Sequence, residues 1–274
     1  MHLNIRQTLV LGIGIILVLF VIRGVFSSYQ TGIVVEEVKT ITDVSLARNN
    51  AAFEMEINVA EIGLAVKGYL HTPNLELLER MADDTRDFQL ALNHFQLASR
   101  AKNVHAEIAQ IGQKFTLYQH SAAELIRLHD EQAIKIRAYR DSKLTLDHDL
   151  HGIYDAGVTS NDSKGLDKRW LAMRMSNSLH AMGEMLSNFL LSPGPQYETE
   201  VANYRADLLR RSDALVKHTA PGKSLQAARE RHQAAIDVVN QVGPIVALNK
   251  QIDEGFKNFL AIRNHFDDLL DDNV

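Results

Sequence analysis

The sequence has no cysteine, so it can form neither a disulfide nor a thiolate metal site, and it holds no cysteine nucleophile. It has only five prolines and fifteen glycines, which leaves room for long uninterrupted helices. It lacks a strong charge of either sign. A net charge of -5 argues against nucleic acid as a partner. Catalytic motifs are missing as well: there is no glycine-rich phosphate loop, kinase signature or nucleophile elbow. No enzyme activity and no cofactor are therefore expected of this chain. Long hydrophobic runs are also scarce, and only one occurs.

That run is Thr8 to Ser27, interrupted only by Arg23. About 20 residues suffice to cross a hydrocarbon core of about 30 Å. Arg23 lies near one end and can snorkel to the interface. Arg6 and the amino terminus place positive charge on the short side, so the N-terminus is expected to face the cytoplasm. The competing reading is a cleaved signal peptide with Thr8 to Ile22 as its apolar core. Val25-Phe26-Ser27 makes a poor cleavage site, which favours an anchor. Residues 1–27 are thus read as cytoplasmic tail and membrane helix, and residues 28–274 as an exported domain. The helical pattern is still running at the last residues, DDLLDDNV, so a returning membrane helix and an output region are expected in a longer parent.

Beyond the anchor, helical periodicity is nearly continuous. A first helix is expected from Ser28 to His71, with Ala52, Met55, Val59, Ile62, Val66 and Leu70 as its buried stripe. HTPN (71–74) breaks it, because Pro73 disfavours helical geometry at Thr72. A second helix should run from Leu75 to about Ala98, and a third from near Arg100 to about Asp155. GVTSNDSKG (157–165) reads as a loop. A fourth helix is expected over Leu166 to Leu191, a fifth over Gln196 to His218, and a sixth from Lys223 onward. SPGP (192–195) and APG (220–222) separate them, while Gly243-Pro244 should only kink the sixth.

The breaks recur at a fixed offset. Moving 120 positions along the chain brings Met55 onto Met175, Gly63 onto Gly183, Leu70 onto Leu190 and Pro73 onto Pro193. This suggests one helical module used twice, over about 48–156 and 166–274. The second and fifth helices would be about 35 Å long and the third and sixth about twice that. The expected fold is all-α: an N-terminal transmembrane helix, then six helices forming two stacked four-helix bundles that share two long helices.

This layout resembles the helical bimodular sensor domains of bacterial transmembrane receptors. The stretch EMEINVAEIGLAVKGYL (54–70), followed by DDTRDF (83–88), is also similar to exported segments of sensor histidine kinases and diguanylate cyclases. The resemblance spans essentially residues 28–274. It implies a small-molecule ligand held between bundle helices, often a carboxylate, and a homodimer in the bacterial inner membrane with its bulk in the periplasm. Chemoreceptors share such domains, so the type of output stays open.

A carboxylate sensor needs cations facing an inter-helix cavity, because a guanidinium matches a carboxylate in two parallel hydrogen bonds. Arg48 extends the buried stripe of the first exported helix, and Lys168 occupies the matching position 120 residues on. Arg174, Arg205, Arg86 and Lys67 are further candidates, and Asn58 and Asn177 lie near the apolar stripes as hydrogen-bonding groups. DHDLH (147–151), with His148, His151 and Asp155 on one helical face, is the one cluster that suggests a metal. No matching ligand can be named elsewhere, so a charged helix face is expected there. Met173, Met175, Met182 and Met185 read as core filling, and Trp170 as a buried anchor in preference to a residue that closes a cavity. An enzyme built on a metal in the bundle would need Glu-x-x-His pairs, and none occurs. The alternative to a sensor is an exported interaction or spacer module.

Overall fold

Apolar residues three and four apart define the helices, and a computed structural model shows how they pack. It describes residues 5–40, 45–99, 104–158 and 163–271. Among these, regular structure is entirely helical: α1 (Ile5–Thr40), α2 (Leu46–His71), α3 (Leu75–Ala98), α4 (Val104–Val158), α5 (Ser163–Leu191), α6 (Pro195–Lys217) and α7 (Lys223–Asp271). The apolar N-terminal segment and the start of the helix expected from Ser28 are one element, α1. Within it Val18–Glu36 is wholly exposed and is long and apolar enough to cross a membrane. This stretch overlaps the later part of the Thr8–Ser27 run. The expected Ser28–His71 helix is found as the end of α1 and α2, with residues 41–44 outside the described set.

The helix ends follow from the prolines. At the α2 terminus the Thr72 amide still donates to the Gly68 carbonyl at 2.8 Å, and α3 begins at Leu75, two residues after Pro73. At the α5 terminus Ser192 donates to Asn188 at 2.9 Å, and α6 begins at Pro195, again two residues after Pro193. Pro195 fills the first helical position, where its missing N–H costs nothing, behind an extended Gly194. After α6, Gly222 adopts φ +126°, a backbone that side chains rarely tolerate, and the chain turns into α7. The 157–165 loop is shorter than expected: α4 continues through Gly157 and Val158, and α5 starts at Ser163. Turn-forming residues there yield to the helices on either side.

The described chain divides into two compact units. The first comprises Met1–Ala65, Leu75–Thr116 and Arg263–Val274. Its core joins Met55, Val59 and Ile62 of α2, Phe88 and Phe95 of α3, Ile111 and Phe115 of α4, and Phe266 of α7, all buried. Phe88 stacks on Phe115 with centroids 3.5 Å apart and meets Phe266 edge-on at 5.5 Å.

The second unit comprises Val66–Asn74 and Leu117–Ile262. One continuous core draws on four helices: Tyr139, Leu146 and Leu150 of α4; Met175, Leu179, Met182 and Leu186 of α5; Val201, Leu208 and Leu215 of α6; Val238, Val242 and Ile245 of α7. The 3–4 spacing of these positions is that of helices packed nearly side by side. Polar bonds tie neighbouring helices around this core. Ser178 donates to Asp207 at 2.6 Å between α5 and α6, and Ser212 meets His232 Nδ1 at 2.9 Å between α6 and α7. Ser176 donates to Asp147 at 2.6 Å between α5 and α4. Gln132 Nε2 donates to Asn249 Oδ1 at 3.1 Å between α4 and α7, with both residues buried.

Burial repeats at the same 120-residue offset as the identities. Met55 and Met175, Val59 and Leu179, Phe88 and Leu208, Leu125 and Ile245, Tyr139 and Phe259, and Leu146 and Phe266 are all buried pairs. Of the α5 methionines, Met175 and Met182 are fully buried and Met185 is partly buried, but Met173 is 42% exposed. Trp170 is not the buried anchor expected from sequence, because it is 49% exposed.

Two features yield stability tests. The Tyr139 hydroxyl is buried with no hydrogen-bond partner, and burial pushes its pKa up to about 12. Phe259 fills the matching position 120 residues on without a hydroxyl. Tyr139→Phe should therefore leave the melting temperature unchanged or raise it, by relief of a penalty of about 1–2 kcal/mol. Asp207 behaves in the opposite way. Burial raises its pKa, but hydrogen bonds from Arg211, Ser178 and Arg210 outweigh this and hold it down at about 2. The resulting stabilisation is present above the ordinary pKa near 3.8 and is lost as the pH falls through about 2. Asp207→Asn should cost about 2 kcal/mol at neutral pH. Thermal unfolding should show the gap to the parent closing between pH 4 and pH 2.

Candidate functional site

Helices α6 and α7 each carry a face of four residues at i, i+3, i+4 and i+7. On α6 these are Glu198, Val201, Ala202 and Arg205, and on α7 they are Gly243, Val246, Ala247 and Lys250. Together they line a groove of about 310 Å³, at the lower end of the range for small-ligand sites. The small side chains at 202, 243 and 247 leave the space between the helices unfilled. A Cβ at Gly243 would meet nothing within 4 Å. Pro244 lies next to it inside α7, where it lacks the N–H that an interior helical residue donates.

The groove is charged at its ends. Lys250 Nζ pairs with the Glu198 carboxylate at 2.8 Å, and both side chains are about half exposed. That pair is screened by solvent and easily exchanged. Arg205 is partly buried, and its Nε–H is buried without a hydrogen-bond partner. A buried guanidinium N–H without an acceptor is costly, and a helix adjustment that admits a carboxylate to it would satisfy it. The groove therefore offers one unsatisfied cationic donor, a second cation in a replaceable ion pair, and a floor of small apolar side chains. This chemistry suits a small organic acid.

The other sequence candidates lie elsewhere. Arg48, Asn58 and Arg86 belong to the first unit. Arg48 is partly buried with its guanidinium 5.9 Å from the Phe95 ring centre. Asn58 donates to the Glu54 carbonyl of its own helix at 2.8 Å. Arg86 pairs with Asp83 at 3.0 Å on the exposed side of α3, and Lys67 on α2 is also exposed. Lys168, Arg174 and Arg205 belong to the second unit. Lys168 is partly buried, and Arg174 is exposed with its guanidinium 4.6 Å from the Trp170 ring centre. Of the eight cations and amides singled out in the sequence, only Arg205 lines the α6–α7 groove.

In the DHDLH segment His148 and His151 are exposed, and His151 Nδ1 bonds the Asp147 carbonyl of its own helix at 2.9 Å. No group of three metal-ligating side chains converges among the described residues.

Glu198, Lys250 and Gly243 escaped the sequence reading. The signal that could have found them is the matched i, i+3, i+4, i+7 pattern of small residues between charges on two helices. No family model matches the chain, and no curated protein matches it significantly.

Proposed function

We propose that this chain is the exported sensing portion of a bacterial transmembrane signal transducer, of the kind that helical bimodular sensor domains represent. In this reading α1 anchors the chain in the inner membrane, and α2–α7 lie in the periplasm as two four-helix bundles sharing α4 and α7. A small organic acid binds between bundle helices. The observation that carries the reading is Arg205, a partly buried guanidinium with an unpartnered Nε–H in a groove between two helices. An acid bridging α6 and α7 prefers one packing of the two helices over another. Its binding energy then biases the position of α7, by shifts of about 1–2 Å that helix interfaces commonly accommodate.

A homodimer is part of the proposal, and α2 supports it. Leu46, Phe53, Ile57 and Leu64 form an exposed apolar seam at spacings of seven, four and seven, with Phe53 and Leu64 both 62% exposed. The positions 120 residues on from Phe53, Ile57 and Leu64 are Met173, Asn177 and Glu184. Two of these three positions are polar, so the repeated helix does not need a continuous apolar seam there for its own packing. Two parallel copies, both anchored by α1, would bury the seam as a short coiled coil.

Thermal unfolding of the detergent-solubilised chain against a panel of mono- and dicarboxylates tests the ligand. At 100 times its dissociation constant a true ligand should stabilise by about 2.7 kcal/mol. Arg205→Ala should abolish that shift, and so should Gly243→Leu, which fills the groove. A panel without any shift would sink the sensing reading in favour of an exported interaction or spacer module. For the seam, Phe53→Glu with Ile57→Asn should convert a dimer to a monomer in analytical ultracentrifugation while leaving helicity intact. A parent chain that sediments as a monomer would rule the dimer out.

A further inference from the structure

The end of α4 and the start of α5 form a separate cleft that the sensing groove does not involve. Two adjoining spaces, of about 670 and 230 Å³, share Tyr154 and Met173 in their walls. Buried Leu150 and Ala172 form part of the lining of the smaller one. Trp170 and Met173 are large apolar side chains left 49% and 42% exposed there. The two adjoining spaces leave these side chains open to a small ligand.

The lining carries one charge of each sign, Arg169 and Asp167, and Arg174 lies beside Trp170. Arg169 lies with its guanidinium 4.2 Å from the Tyr154 ring centre, and Arg174 lies 4.6 Å from that of Trp170. Among the described residues no ion pair joins a carboxylate to either arginine. Stacking on tyrosine occupies a face of the Arg169 guanidinium but leaves its in-plane N–H donors available, already oriented by the ring. At the other end His151 Nδ1 is engaged by the Asp147 carbonyl, which leaves Nε2 as its remaining polar edge. Asp167 is the carboxylate in the lining, opposed by Lys168, Arg169 and Arg174 close by in sequence.

We propose that the α4–α5 cleft is a second ligand site, for a small aromatic carboxylate. The ring lies against Trp170 and Met173, and the carboxylate takes the in-plane donors of Arg169. An aliphatic acid lacks the ring contact and an aromatic alcohol lacks the ionic one, so both bind more weakly. The site shares no residue with the Arg205 groove and stands or falls independently of it.

Trp170 is the single tryptophan of the chain, so its emission reports this cleft alone. The detergent-solubilised full chain is titrated with benzoate, with acetate and benzyl alcohol in parallel, at constant ionic strength. Benzoate should change Trp170 emission saturably, and Arg169→Gln should raise the half-saturation concentration at least about tenfold. Arg169→Lys should restore only part of the affinity, because an ammonium cannot make the planar pair. The fluorine resonance of 4-fluorobenzoate, broadened by the parent and sharpened in Arg169→Gln, gives a second readout that does not rely on tryptophan. Circular dichroism confirms that both variants keep their helicity. Emission that stays flat, responds linearly without saturating, responds equally to acetate, or is unaffected by Arg169→Gln overturns the proposal. Arg205→Ala should leave the benzoate response intact, which separates failure here from failure of the groove between α6 and α7.

Discussion

Packing in this protein depends on one constraint: apolar side chains must recur every three and four residues so that each helix presents an unbroken seam to its neighbours. In α5 the buried set is Ala172, Met175, Leu179, Met182 and Leu186, and in α7 it includes Ala235, Val238, Val242 and Ile245. The average period of 3.5 keeps these seams facing one another along helices of tens of residues. Burial of this kind supplies most of the driving force, since each fully buried large side chain is worth about 1.5–3 kcal/mol. It also explains how two segments with few identities bury the same positions. At an offset of 120 residues the side chains change from Val59 to Leu179 or from Phe88 to Leu208, yet each remains apolar and buried.

A seam of this sort is permissive, and polar groups make it specific. Asp207 accepts from Ser178 on α5 while Arg210 and Arg211 hold its charge from its own helix. Ser212 is fully buried and bonded to His232. Asp147 is approached by Ser176, His151 and His180. The contacts that cross between helices, Ser178–Asp207, Ser212–His232 and Ser176–Asp147, fix which turn of one helix lies beside which turn of the next, a choice that apolar packing alone leaves nearly degenerate. The net contribution of each bond is modest, but a wrong pairing would leave a buried polar group without its partner.

The helices were legible in the sequence to a degree that reflects this division. The boundaries at Leu75, Ala98, Leu191 and Lys223 follow from proline, glycine and periodicity, all of which act locally. The residues of the 157–165 segment favour turns, yet α4 and α5 extend into it from both sides. The groove was much harder to see. Arg205 is one of many arginines in the chain, and its significance comes from lying opposite Gly243 and Ala247, a fact of helix pairing that no local rule contains. Trp170 was misread for a related reason. Aromatic size predicts burial, but exposure here depends on what the partner helix supplies, and Tyr154 with Arg169 leaves the indole open.

The buried amide pair between Gln132 and Asn249 has a dynamic consequence. Its bond is 3.1 Å long and runs between the helices, so a slide of α7 along α4 by about 2 Å, with the side chains held in place, would carry it out of bonding range. Two amides would then be stranded among apolar side chains, at a cost of about 1–3 kcal/mol for each unsatisfied group. The pair therefore works as a mechanical detent. It absorbs thermal jitter along the helix axis and yields only to a push that exceeds a threshold. Motion passed along α7 through this point would be stepped rather than graded.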